Sequence, residues 1–207
     1  MSSIKIAVLV SGSGSNLQSL IDKQGKDFNG EISLVISNIK DAYALERARN
    51  HGIKAQYISR KYYTNPREFD QRLLEILLEN EIDLVVLAGY LKIITDVLVD
   101  RFENRIINIH PSLLPSFGGK GYYGIKVHEA VLERGCKVSG ATVHFVDNGA
   151  DTGPIICQES LNIDQKWDAN ELQKQVLKIE HEILPKAVKL FCEDRLVVEN
   201  NRVYIKE

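Results

Sequence analysis

Short apolar runs that alternate with helical patterns constrain this chain more than any other feature. Ile4–Val10 is apolar at nearly every position, which fits a strand covered on both faces better than one half in water. Similar runs follow at Ile32–Ser37, Ile53–Ile58 and Asp83–Ala88, with a shorter one at Ile106–Ile109. Between them lie helical stretches. Leu17–Asp22 opens one, Ala42–Asn50 is closed by Gly52, and Pro66 starts a third. In that third stretch Phe69, Leu73, Ile76 and Leu77 share one stripe. Strand, helix and strand in strict alternation predict an α/β fold with a doubly wound, mostly parallel sheet.

The second half changes character. Residues 111–127 are dense in Pro, Gly and Tyr, which predicts a long shaped loop before a helix at about 127–134. Ser139–Val146 and Ile155–Asn162 read as strands able to pair antiparallel, and Asn170–Cys192 reads as a long amphipathic helix. A hairpin through Asn200-Asn201 follows. The expected fold is therefore a parallel sheet with an antiparallel C-terminal part and a long C-terminal helix. Neither an internal repeat nor a linker interrupts the chain. We read residues 1–207 as a single domain, with halves at about 1–110 and 111–207.

Charge narrows the partners. Lys and Arg number 26 against 28 Asp and Glu, and the pI of about 6.2 lacks the basic excess of an electrostatic nucleic-acid binder. No run approaches the length of a membrane span, and the N-terminus lacks the layout of a signal peptide. Cys136, Cys157 and Cys192 are widely spaced and odd in number, as in a reduced compartment. The expectation is a cytoplasmic protein with no metal, nucleic-acid or membrane partner. Monomer and weak dimer both stay open.

Three segments could carry chemistry. The first is Ser11-Gly12-Ser13-Gly14-Ser15-Asn16, between a strand and a helix. Backbone N–H groups at such a turn can cradle a phosphate monoester, the reading we favour over a ligand-free tight turn. Leu17 breaks the dinucleotide fingerprint, and the Walker lysine is missing here and at Gly118-Gly119-Lys120-Gly121. The second is Asn108-Ile109-His110-Pro111 at a strand end, where residues two apart share a face. An amide and an imidazole together can stabilise an oxyanion and move a proton. The third is the acidic loop Asp147–Ile155, in which Asp151 could orient His110 or simply form a turn. His144, on the face of its strand opposite Val143 and Phe145, is either a packed polar side chain or a neighbour of the site. His128-Glu129 and His181-Glu182 lack the second histidine of a zinc-protease motif, and no nucleophile elbow occurs.

Together IAVLVSGSGSNLQSLID, DLVVLAGYLKII, INIHPSLLPSF and HFVDNGADTGPIICQ resemble, in order, the glycinamide ribonucleotide (GAR) formyltransferase family, over residues 4 to 192. The resemblance implies formyl transfer from 10-formyltetrahydrofolate, as co-substrate, to the primary amine of GAR in purine biosynthesis, by direct attack through a tetrahedral intermediate. It implies a catalytic trio of Asn108, a protonated His110 and Asp151. It places Gly14, Ser15, Asn16 and Glu180 against GAR, and Arg67, Leu91, Lys92, Ile93, Ile94 and Asn108 against the folate. Within the wider superfamily, 10-formyltetrahydrofolate hydrolases and transfer-RNA formyltransferases carry a further domain for which this chain has no room.

Overall fold

A computed structural model describes residues 3–207 and divides them into two compact units, one ending at Ile107 and the other starting at Asn108. In the first unit β1 (Ile4–Val10) lies between β2 (Gly30–Ser37) and β4 (Leu84–Leu87), with β3 (Lys54–Tyr57) outside β2. All these pairings are parallel. The reason is legible in burial: Ile6 through Val10 and Leu84 through Val86 are all but sealed from water, so both faces of these strands need apolar side chains. Helices α1 (Ser15–Lys23), α2 (Tyr43–Asn50), α3 (Pro66–Glu79) and α4 (Asp96–Arg101) complete the unit. Asn65 caps α3 by accepting from the Glu68 N–H, and Pro66 occupies its first turn, where a missing N–H costs nothing.

The chain winds from β1 outward to β3 and returns to β4 on the other side of β1. This reversal leaves a crevice beyond the carboxyl ends of β1 and β4, the usual ligand position in open α/β sheets. The segments after those ends are Ser11–Asn16 and Gly89–Ile94.

Strand β5 (Ile106–His110) carries the chain from the first unit into the second. There β6 (Val138–Phe145) and β7 (Ile155–Asn162) pair antiparallel, as their sequence pattern implies. The long helix α6 (Ala169–Cys192) packs on both strands and against α5 (Ile125–Glu133). Its core stripe includes Leu172, Val176, Ile183, Leu184 and Val188. A hairpin of β8 (Leu196–Glu199) and β9 (Arg202–Ile205) ends the chain. The architecture is α/β, mostly parallel, with the antiparallel C-terminal part and terminal helix expected from sequence. Among the described residues no helix is long and apolar enough to cross a membrane.

His128 on α5 is almost completely buried, and its Nδ1 has no hydrogen-bond partner. Burial pushes the imidazole down to about 4, with the neighbouring His110 adding to the effect. Unfolded histidine binds a proton near pH 6.5, whereas the folded ring resists it. The stability this group contributes is therefore complete above pH 6.5 and is lost as pH falls from there to about 4. The loss amounts to about 3 kcal/mol at the linkage of 1.36 kcal/mol per pH unit. Urea unfolding of wild type and His128→Leu at pH 7 and pH 4.5 is expected to show a steeper acid loss in the wild type. Equal losses would remove His128 as the cause.

Candidate active site

Asn108 and His110 lie on the same face of β5, as their spacing requires, and His110 is 4% exposed. The loop after β6 brings Asp151 to them. His110 Nδ1 lies 3.5 Å from Asp151 Oδ2, and Asn108 Nδ2 lies 3.4 Å from Oδ1 of the same carboxylate. The three residues that the family resemblance singled out thus form one cluster within the second unit.

Two groups that carry no sequence signature complete the cluster. The main-chain carbonyl of Phe117 accepts a hydrogen bond from His110 Nε2 at 2.8 Å. The N–H of Gly119 donates to Asp151 Oδ2 at 2.8 Å. One short stretch of the Pro- and Gly-rich loop therefore grips both partners. Reaching this geometry puts Phe117 at φ 53 and Asp151 at φ 58, left-handed conformations that cost energy for residues with a side chain.

His144, whose role the sequence left open, proves to be a neighbour of the site. Its Nδ1 donates to the Phe145 carbonyl at 2.7 Å. Its Nε2 faces Asn108 Nδ2 at 3.1 Å and Asp151 Oδ1 at 3.7 Å.

The acceptors dictate the protons. A carbonyl oxygen can only accept, so His110 carries hydrogen on Nε2 and His144 carries it on Nδ1. The Asn108 amide nitrogen lies 3.1 Å from His144 Nε2, which fixes the orientation of that amide. Neutral His110 turns a bare Nδ1 toward the Asp151 carboxylate. A proton delivered into that gap would find an acceptor on either side.

Electrostatics keep the gap empty at rest. Burial holds the His110 imidazole below the ordinary histidine value, and the neighbouring Asp151 charge offsets only part of this. Burial alone would raise the Asp151 carboxyl; the neighbouring His144 and His110 rings and the Gly119 N–H outweigh it and hold the group below its usual value. The resting pair is a neutral imidazole beside a carboxylate. Burial disfavours a permanent charge on the His110 ring.

The remaining predicted residues fall in two places. Gly14 caps α1 at φ 74, followed by Ser15 and Asn16 in the first turn, and the helix has no side-chain cap at this end. Leu91–Ile94 follows β4; the Leu91 N–H donates to Ser11 Oγ, which itself donates to Asn38 Oδ1. Leu91 and Ile93 are exposed, at 55% and 65%, while Ile94 is buried. Lys92 is exposed as well. Arg67 pairs with Asp96 just beyond this segment, and Asp70 accepts from the Thr95 N–H at 2.6 Å. These groups all belong to the first unit. Glu180 belongs to the second, on α6, and is buried. Asp147 forms a turn, accepting from the Gly149 N–H and the Thr152 hydroxyl. Among the described residues no group of three or more His, Cys, Asp or Glu side chains could hold a metal ion.

Comparison with known proteins places the chain in a family. The formyl transferase family matches residues 4–188. The chain is 39% identical over 202 residues to the phosphoribosylglycinamide formyltransferase of Haemophilus influenzae, covering 97% of this chain and 93% of the relative. It is 42% identical over 195 residues to the chloroplastic phosphoribosylglycinamide formyltransferase of Vigna unguiculata, covering 93% of this chain but only 62% of that longer protein. The crystal structure of glycinamide ribonucleotide transformylase 1 from Symbiobacterium toebii superposes with a TM-score of 0.94 at 43% identity, covering 99% of this chain and 95% of the other. Kinship in sequence over nearly the full length and agreement in fold have the same consequence: the chain belongs to the phosphoribosylglycinamide formyltransferase family of formyl transferases.

Proposed function

We propose that this protein transfers the formyl group of 10-formyltetrahydrofolate to the primary amine of GAR, giving formyl-GAR and tetrahydrofolate in purine biosynthesis. The observation that carries the proposal is the cluster of Asn108, His110 and Asp151, in a chain whose relatives bear the name of that activity.

The chemistry follows from the atoms. The GAR nitrogen attacks the formyl carbon, forming a C–N bond and a tetrahedral intermediate with negative charge on oxygen. Asn108 gives up its long 3.4 Å contact to Asp151 and donates to that oxygen, a contact worth about 3–4 kcal/mol in such sites. The proton leaves the attacking nitrogen for His110 Nδ1, where Asp151 stabilises the imidazolium. It then passes to the departing folate nitrogen as the old C–N bond breaks. The enzyme forms no covalent bond at any stage. In this reading Gly14, Ser15 and Asn16 hold the GAR phosphate at the α1 N-terminus, where the helix dipole favours an anion. Glu180 also contacts GAR, while Arg67, Asn108 and the segment Leu91, Lys92, Ile93 and Ile94 serve the folate.

The test uses purified protein with 10-formyltetrahydrofolate, with and without GAR. Tetrahydrofolate release is followed by absorbance and the product by mass. GAR-dependent release with one formyl-GAR per tetrahydrofolate is expected. Release at the same rate without GAR would make the protein a hydrolase, and no release would overturn the proposal.

A further inference from the structure

Three successive carbonyls of the glycine loop are tied back, and only one of them by a side chain. Gly12 accepts from the Ala44 N–H at 3.2 Å, and Gly14 accepts from the Gln18 N–H at 2.9 Å. Between them, the Ser13 carbonyl accepts from Arg47 Nε at 2.8 Å. The same guanidinium donates through Nη1 to Gln18 Oε1 at 3.0 Å and lies 4.7 Å above the Tyr43 ring. Arg47 thereby joins α1, α2 and the loop at one point.

The packing explains why it reaches. A Cβ on Gly14 would lie 2.6 Å from Ala44 Cβ and 2.9 Å from Ala44 Cα, so α2 sits directly on the loop. Arg47 is three residues after Ala44 and projects from the same helix face. The first N–H groups of α1 have no acceptors within the helix, and no side chain caps this end. An anion gains from those donors only while the adjacent carbonyls point elsewhere. A Ser13 carbonyl released from Arg47 could turn its negative end toward the anion.

We infer that Arg47 is a positioning residue of the phosphate subsite, holding the Ser13 carbonyl away from the anion without itself touching the substrate. The inference rests on the reading of this loop as the GAR phosphate site. Geometry does the work along with charge: the donation to Ser13 and Gln18 at once needs the planar fork of a guanidinium, which lysine lacks.

Arg47→Lys keeps the charge and removes the fork. It is expected to raise KM for GAR about tenfold, with kcat and the KM for 10-formyltetrahydrofolate unchanged within twofold. On the riboside analogue without the phosphate, wild type and variant should have equal kcat/KM. A wild-type KM for GAR, or the same loss on both substrates, would overturn the inference. Calorimetric titration with ribose 5-phosphate tests it apart from turnover. About tenfold weaker binding by Arg47→Lys upholds the role even if the wild type fails to formylate GAR, which would sink the functional proposal alone. Equal binding by both proteins, or none by the wild type, refutes the role of Arg47.

Discussion

Replacing His110 with alanine is expected to lower kcat by about 10²-fold or more while leaving the melting temperature near that of the wild type. General acid–base groups contribute on this scale, and His110 is the imidazole whose Nδ1 faces Asp151 Oδ2, at 3.5 Å. Asp151→Asn should cost a similar factor for a different reason. Asparagine tolerates the left-handed φ of 58 and can still accept from the Gly119 N–H, so the loop survives. What disappears is the charge that supports the imidazolium.

The pH profile separates this role from a structural one. In the wild type the competent form, neutral His110 beside ionised Asp151, persists down to pH values below the ordinary histidine range, because both groups are shifted down. The acid limb of kcat/KM should therefore fall below pH 6.5, the ordinary value for a free histidine. Asp151 raises the His110 value, so removing its charge should move that limb lower still. An unchanged limb in Asp151→Asn, or near-normal turnover in either variant, would take the pair out of the reaction. Both interactions strengthen only as charge develops, so the losses should appear equally in kcat and kcat/KM.

How far the sequence discloses the molecule depends on which atoms matter. Strands such as Ile4–Val10 and Ile155–Asn162 occur with the bounds expected, because a strand covered on both faces, or paired between clear turns, leaves an unmistakable run. Helix α4 escaped notice since its six residues make fewer than two turns, too few for a period to show. So did the one-turn 3₁₀ helix at Arg60–Tyr62. In the site, Asn108 and His110 could be placed together because side chains two apart on a strand share a face. Asp151 could not be placed by spacing: it lies 41 residues after His110, and its position depends on a loop with a left-handed residue. The Phe117 carbonyl and the Gly119 N–H were invisible in principle, since every residue but proline carries both groups. Only the glycine density of 118–124 hinted at unusual backbone geometry. For His144, alternation gave the face but not the neighbour.

Gly140→Val is expected to cost about 3 kcal/mol or more of stability, at or beyond the upper end of overpacking penalties. Gly140 sits inside β6, opposite Ser160 of β7. A Cβ there would lie 2.0 Å from the Glu159 carbonyl oxygen, 2.9 Å from Ser160 Cα and 2.8 Å from Leu113 Cδ2. The first two are main-chain atoms of the partner strand, which cannot retreat without breaking the β6–β7 ladder. Leu113 belongs to the loop between His110 and Phe117, so relief in that direction displaces the carbonyl that holds the His110 ring. The variant that remains folded should therefore also lose kcat, linking a packing defect to the proton gap. Gly135→Ala provides the contrast. Its Cβ meets nothing within 4 Å, and only the left-handed φ of 72 is strained, at about 1–2 kcal/mol. Urea midpoints of the two variants measure the difference, and total stabilities of about 5–15 kcal/mol make a loss of this size easy to resolve. A midpoint for Gly140→Val as high as that of Gly135→Ala would mean that β6 and β7 do not approach this closely. It would also break the argument that carries strain from the sheet into the loop beside His110.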